Sequence, residues 1–569
     1  MTKIAFVPLD ERPCNLEFPR QLAAMTDLEM SVPPVAILGR KKSPADTAAL
    51  QDWLLHEGEQ ADHAIVSLDM LVYGGIVPSR LHHLTEQDTL DRLEVLRELK
   101  RVRPQLRIHA FNLIMRVPAY SSSEEEPDYY ADYGRELFLY GWYRDKKEQE
   151  VLTEEEEQTY ADILAKVPPE VLADFVGRRG INSFVNHQAL QLAAEGIIDY
   201  LIIPLDDNSR YGFSPLEQRA LAIRSEELDL LDRVAIYPGA DEIGCTLFAR
   251  IFCETKQYLP KVYVRYSSTR GPFCIPKYED RSLGESIKAH LTSAGAFMAD
   301  SSHGADAVLM VHSPAAGEAD MAETSHAWGQ RHRTYFSEVN MREFAQAMRV
   351  YLGEGRTVAL ADVSVCNGGD TVLLKLLARL GLLEGLSAYA GWNTSGNTLG
   401  TVIAHAIIEA YYAGAESASA GAFAQAAVSG ASLPAEAAAA VSAAGIPAAA
   451  SGVGEAAGVP LDSQGALTRS VDQQRSSRAF YLYRLVEDWG YQAIIRKEVT
   501  EKVLPGLGAN YFSLPGVQQQ VEDLIADKLR TFAEERLNGI TPLRIDITNV
   551  HLPWNRMFEV GFDLALKSE

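Results

Sequence analysis

Asp206 and Asp207 close an apolar run that reads Tyr200-Leu-Ile-Ile-Pro-Leu-Asp-Asp-Asn-Ser-Arg-Tyr-Gly212. Adjacent carboxylates at the exit of a buried strand repel each other, and burial raises the pKa of at least one. Such a pair can hold two protonation states at one pH, which suits a reaction needing one acid and one base. The plainer reading is a turn, with Asp207 or Asn208 capping the next helix and Asp206 solvated. Neighbouring side chains in a regular strand point to opposite faces. Both acids therefore reach one site only if the strand ends there. Pro204, Asn208, Ser209 and Gly212 agree with an end at that point.

The elements that must position this pair are legible as β-rich apolar runs at 4–9, 64–68, 108–114, 201–205, 234–237, 308–311, 358–360 and 388–391. Polar residues and a helical stretch follow each run, as at 90–99 and 341–352. Strands alternating with helices predict parallel βαβ units. Eight of them predict an α/β fold, a (β/α)8 TIM-like barrel with insertions, with an open doubly wound sheet as the other arrangement. A further run at 262–266 is either the sixth strand or an inserted hairpin. The barrel is expected over 1–412 with a mostly helical insertion at 120–186, and an Ala/Gly/Ser-rich low-complexity insertion follows at 413–459. A smaller α+β unit at 460–569 is expected to fold back over the pocket, with helices at 476–497 and 517–538 and paired strands at 543–550 and 558–566.

In parallel sheets and barrels the ligand sits at the carboxyl ends of the strands. Here those ends carry Asp10 with Arg12, then Asp69 with Tyr73 and the later Arg80, then Asn112 with Arg116, then the Asp206–Asp207 pair. Asp241 and Glu242, His312, Asp362, and Trp392 with Asn393 and Asn397 follow. Singly, an Asp after a strand is a turn residue, and His312 reads as a hydrogen-bonded barrel histidine ahead of a ligand. Together they predict a pocket of carboxylates, amides, an indole and few cations. Such a lining suits a hydroxyl-rich ligand, with Trp392 stacked beneath a ring. Trp554 and Arg556, within Pro553-Trp-Asn-Arg, join the candidates from the C-terminal unit, where a surface aromatic with an ion pair is the alternative. No Walker A loop and no Gly-x-Gly-x-x-Gly after a strand is present.

The 569-residue chain carries 53 Lys+Arg against 77 Asp+Glu, a net charge of −24, which argues against nucleic acid and anionic membrane as partners. Its five cysteines are scattered without a Cys-x-x-Cys pair, so neither a disulfide framework nor a zinc site is expected. The start Met1-Thr-Lys-Ile-Ala-Phe-Val runs directly into a strand without a secretory pattern, so a cytoplasmic location is expected. Homo-oligomerisation stays open.

Two resemblances attach to these residues. Asp10-Glu-Arg-Pro-Cys-Asn, Tyr73-Gly-Gly, Leu205-Asp-Asp-Asn, Gly391-Trp-Asn-Thr-Ser-Gly-Asn-Thr-Leu-Gly400 and Leu552-Pro-Trp-Asn-Arg resemble a bacterial family of unknown function over nearly the whole chain. The passage 201–220, with Gly212 and Gln218 after the acids, resembles the catalytic segment of substrate-assisted β-N-acetylhexosaminidases of the O-GlcNAc hydrolase type. The chain has no counterpart of their first-strand Glu-Gly-Phe-Tyr-Gly motif. The second resemblance implies a retaining exo-β-N-acetylhexosaminidase, N-acetylgalactosaminides ahead of glucosaminides, acting on a carbohydrate with a 2-acetamido group and using no cofactor and no metal. It also implies the roles: Asp206 steadies the acetamido group, and Asp207 shuttles the proton. Two other classes stay open. One is a divalent-metal-dependent barrel enzyme using Asp10, Glu11, Asp69, Asp206, Asp241, Glu242 and His312. The other is a non-catalytic carbohydrate-binding protein.

Overall fold

The computed structural model describes residues 1–429 and 469–568. All nine apolar runs become strands, and their alternation of buried side chains accounts for two cores. The first sheet joins β1 (Lys3–Val7), β2 (Glu29–Ser31), β3 (His63–Ser67), β4 (Arg107–Phe111), β5 (Tyr200–Leu205) and β6 (Val234–Pro238) in the order β2-β1-β3-β4-β5-β6. The second joins β7 (Lys261–Tyr266), β8 (Phe297–Ala299), β9 (Ala307–His312), β10 (Thr357–Asp362) and β11 (Ala388–Ala390) in the order β11-β10-β9-β7-β8. Every ladder in both is parallel. The run at 262–266 is β7, an interior strand. The three-residue strands β2 and β8 are too short to leave a periodic signal.

The expected eight-stranded ring is not what these ladders form. Among the described residues no pairing joins β6 or β2 to the second sheet, and the strands make two open parallel sheets. The physical reason lies in what the two faces of the first sheet pack against. One parity, Ala5, Val7, Ala64, Val66, Ile108, Ala110, Leu201 and Ile203, shares a core with Leu50, Leu54, Leu96 and Leu190 of covering helices. The other parity, Ile4, Phe6, Ile65, Phe111 and Ile202, belongs to a larger core shared with the second sheet and with the helices Pro13–Ala24 and Ile243–Lys256. A barrel packs its inner parity on itself across the ring. Here helices occupy that space. A Cβ on Gly244 would stand 3.0 Å from both Phe6 and Pro19, so this helix meets the sheet at backbone distance.

The helix Ser395–Ser429 packs against β10, β11 and the helix Ile243–Lys256. The Ala/Gly/Ser-rich stretch expected at 413–459 lies outside the described residues from 430 onward. The expected helical insertion contains Tyr130–Gln149, Glu154–Lys166 and Pro169–Ala194. In the C-terminal part, the helix Val471–Arg484 passes into a π-helical stretch, Leu485–Ile495. That stretch presents Asp488 to the loops after β10 and β11: its side chain accepts the Gly391 N–H (2.8 Å), and its carbonyl accepts the Gly369 N–H (2.9 Å). The helix Gln518–Arg536 and the antiparallel pair β12 (Arg544–His551) and β13 (Gly561–Lys567) complete this part. No helix among the described residues is long and apolar enough to cross a membrane.

Candidate active site

The carboxyl ends of both sheets open onto one cleft of about 270 Å³. The segments after β1, β3, β4, β5 and β6 bring Arg12, Arg80, Arg116, Asp206 with Asp207, and Asp241. The loops after β10 and β11 bring Asn367 and Asn393, the first turn of the helix Ser395–Ser429 brings Asn397, and the C-terminal part brings Tyr511, Trp554, Arg556 and Phe558. Among the described residues ten non-glycine residues have positive φ, and five of them, Asp207, Tyr278, Asn367, Asn393 and Trp554, line this cleft. Asp and Asn tolerate that backbone region, whereas Tyr278 at φ 67° and Trp554 at φ 57° are costly exceptions. Strained backbone of this kind concentrates where surrounding structure must hold a side chain for binding or reaction.

Leu205 is the last residue of β5, and the turn to φ 45° at Asp207 brings consecutive side chains to the same cleft. Arg80 donates to Asp206 Oδ2 at 2.8 Å, and Arg116 donates to Asp207 Oδ2 at 3.3 Å. Glu126, 3% exposed, accepts from both guanidinium groups, at 3.2 Å from Arg80 and 3.0 Å from Arg116. Glu125 ties the same two arginines to Arg556. Burial, and then the charge of Asp206, lift Asp207 to about 6 against the pull of Arg116 and Arg80. The two acids thus differ in partner, and Asp207 retains 25% of its side-chain exposure against 14% for Asp206.

A second hub joins the segments that follow β1 and β6. Arg12 reaches Asp10 Oδ2 (2.7 Å) and Asp241 Oδ1 (2.6 Å), and the Asn15 amide donates to both acids at 2.9 Å. Burial pushes Asp241 up to about 7, with the charge of Asp10 opposing Arg12. The Trp554 ring lies under the guanidinium groups of Arg12 (4.6 Å) and Arg556 (4.5 Å), and its Nε1 donates to Glu11 at 2.7 Å. The lining therefore holds four arginines, Arg12, Arg80, Arg116 and Arg556. That corrects the expectation of few cations: each arginine is needed to neutralise carboxylates that the fold buries.

Other expected site residues stand behind the cleft wall. Asp69 is 2% exposed and accepts the Leu113 N–H (2.9 Å) and the Asn112 amide (3.3 Å). Tyr73 is buried and stacks on His82. Glu242 turns back onto the Ala240 N–H (2.9 Å) and faces His290 (3.2 Å). Asp362 accepts the Asp370 N–H (2.7 Å), and His312 meets the Asp370 carboxylate (3.1 Å). Trp392, expected beneath a sugar ring, is 4% exposed, packs edge-on against Phe18, and donates its Nε1 to Thr401. Its indole is core because the Phe18 helix lies against it; Asn393 and Asn397 of the same motif do reach the cleft. The six acids and one histidine of the metal reading do not converge, since Arg12 stands between Asp10 and Asp241 while Glu242 and His312 have separate partners.

Asp69 gives a stability test. Burial lifts its carboxyl to about 7, so between about pH 4 and 7 the folded chain keeps a proton that the unfolded chain has released. Stability then falls as pH rises through that window. Asp69→Asn should be more stable than the parent at pH 8, by about 2–4 kcal/mol at most, and its urea midpoint should move less between pH 5 and 8. Equal pH slopes in the two proteins would show that Asp69 is ionised throughout.

Sequence reading missed Glu125, Glu126, Tyr278, Glu279 and Tyr511. The one signal was the Glu124-Glu-Glu126 run before Pro127, which also reads as a solvated surface. Glu279, lifted to about 7 by burial, is 2% exposed and lines the cleft. The mouth carries two half-exposed aromatic rings, Tyr120 and Phe512, each 54% exposed.

No curated protein and no solved structure matches the chain. The family model described as "Protein of unknown function (DUF4127)" matches residues 4–563. That match takes in β1, the cleft residues of both sheets and the Trp554–Arg556 corner alike. The chain belongs to this family of unknown function.

Proposed function

We propose that the chain is a retaining glycoside hydrolase, an exo-β-N-acetylhexosaminidase that acts by substrate assistance, with N-acetylgalactosaminides ahead of glucosaminides. The observation that carries the reading is the consecutive Asp206–Asp207 pair at one cleft, with separate arginine partners and with Asp207 lifted to about 6. In this scheme the 2-acetamido oxygen of the substrate attacks the anomeric carbon. Asp206, steadied by Arg80, accepts the amide N–H and offsets the positive charge of the cyclic intermediate. Asp207 gives its proton to the leaving oxygen, then takes one from the water that opens the ring. Asn367, Asn393, Asn397 and Asp241 supply hydrogen bonds to ring hydroxyls, and Tyr120 and Phe512 offer flat apolar faces at the mouth. The reading requires strand ends that converge, as both sheets do, rather than a closed barrel. Five free, buried cysteines support a reducing, cytoplasmic setting.

The test is a panel of 4-nitrophenyl β-glycosides with and without the 2-acetamido group. The N-acetylgalactosaminide and N-acetylglucosaminide should be turned over about 100-fold or more faster than the plain galactoside and glucoside, because only the former carry the internal nucleophile. Equal rates on both groups would exclude substrate assistance.

A second reading, a carbohydrate-binding protein without turnover, draws on the completeness of the ion pairing, in which both acids already have a guanidinium partner. It expects sugar binding by calorimetry, no hydrolysis, and no difference between the wild type and Asp207→Asn.

A further inference from the structure

Away from the cleft, toward the amino-terminal end of the first sheet, two histidines and a glutamate meet without being explained by folding. His63 opens β3 and His109 lies in the middle of β4. The ladder pairs His63 with Arg107 and Ile65 with His109, so both imidazoles leave the same face of the sheet. The helix Ile243–Lys256 crosses that face and brings Glu254. One ligand atom from each of the three residues lies within 4.8 Å of the others, and His109 Nε2 stands 3.4 Å from Glu254 Oε2.

Three ring nitrogens at this point, His63 Nδ1 and both of His109, have no hydrogen-bond partner, and Glu254 Oε2 has only the ion-pair approaches of Arg107 and His109. His109 is 0% exposed and His63 8%. Buried imidazoles nearly always find a partner, so such a concentration of orphans asks for one that the protein chain does not supply. Two imidazoles and a carboxylate are the donor set of a tetrahedral zinc-class ion with one position left for water. With metal–ligand bonds of about 2.0–2.2 Å, neighbouring tetrahedral ligands lie about 3.4 Å apart, the separation His109 and Glu254 already have. Arg250 pairs with Oε1 at 3.0 Å and leaves Oε2 toward the imidazoles. Arg107, 3.0 Å from Oε2, has a 47% exposed side chain and a second partner in Asp199, so it can cede that oxygen.

We propose that His63, His109 and Glu254 form a binding site for one zinc-class divalent cation, separate from the cleft, which ties β3 and β4 to the helix Ile243–Lys256. The site is structural: it joins the first sheet to the helix that begins directly after Asp241 and Glu242. Because the three ligands come from distant parts of the sequence, the ion binds the folded chain far better than the unfolded one and stabilises it by mass action.

The experiment uses the full chain stripped with EDTA, desalted and dialysed against micromolar zinc chloride. Bound metal is counted by plasma mass spectrometry, and unfolding is followed with and without zinc. One zinc per chain and a rise in melting temperature of about 4 °C or more are expected. Glu254→Gln, which keeps the side-chain shape, should lower zinc affinity about 100-fold and abolish the rise; His109→Gln should do the same. Cobalt in place of zinc should give the intense visible absorption of a tetrahedral site in the parent and lose it in Glu254→Gln. No retained zinc, or equal retention and unchanged cobalt spectra in parent and variants, would overturn the site. Folded Glu254→Gln protein keeps the test decisive should the histidine variant fail to fold.

Discussion

Asp207→Asn will lose about 10³-fold in kcat on an N-acetylhexosaminide with a poor leaving group, such as an alkyl glycoside, while the 4-nitrophenyl glycoside loses about tenfold. The difference arises because a nitrophenolate departs without a proton, whereas an alkoxide does not. Asp207 sits at about 6 through burial and the charge of Asp206, so the protonated form that acts as acid is depleted above that pH. In the wild type kcat/KM should therefore fall about tenfold per pH unit above about 6, and this limb should vanish in Asp207→Asn. Equal losses on both leaving groups, or survival of the alkaline limb, would take the proton-shuttling role away from Asp207.

The second large effect is expected at a residue that touches no substrate. Glu126 is the common acceptor of Arg80 and Arg116, which in turn hold Asp206 and Asp207. Glu126→Ala leaves two largely buried guanidinium groups short of an anion, at a cost of about 3–5 kcal/mol in stability. It also frees both acids from their positions, which should reduce kcat by about 10²-fold. Glu126→Gln keeps the side-chain volume and one acceptor, so it should recover most of the stability and part of the rate. Measured at a temperature where circular dichroism shows each variant folded, the loss should fall mainly on kcat rather than KM. A variant with normal kcat and only a lower unfolding midpoint would mark Glu126 as structural alone.

Much of this cleft was legible in the sequence. A carboxylate, amide or arginine directly after a buried strand has few places to go except the carboxyl end of a sheet, and Arg12, Arg116, Asp206, Asp207, Asp241, Asn393 and Asn397 do line the cleft. Trp554 and Arg556 were conspicuous because the turn Pro553-Trp-Asn-Arg wastes an indole and a guanidinium unless something holds them. Three features were not legible. Alternating strands and helices fix parallel pairing but leave open whether edges meet, since barrel and open sheets bury the same run of residues. The outcome depended on whether helices or strands filled the space behind Ile4, Phe6 and Ile65, a question of three-dimensional packing. Trp392 and Trp554 exchange their expected importance for the same reason: local sequence shows an indole near a strand end and not which neighbours cover it. Glu125 and Glu126 were hidden inside an acidic run whose composition is that of a solvated loop; only pairing with Arg80, from the segment after β3, and with Arg116, from their own segment after β4, makes them interior.

The measurement that bears most directly on the Asp206–Asp207 assignment uses a sugar-fused thiazoline, a stable mimic of the cyclic intermediate formed by the acetamido group. The account expects competitive inhibition of the wild type in the micromolar range, with binding at least about 100-fold weaker in Asp206→Ala, whose missing carboxylate can no longer meet the ring nitrogen. A thiazoline that fails to inhibit, or that binds the wild type and Asp206→Ala equally, would contradict it.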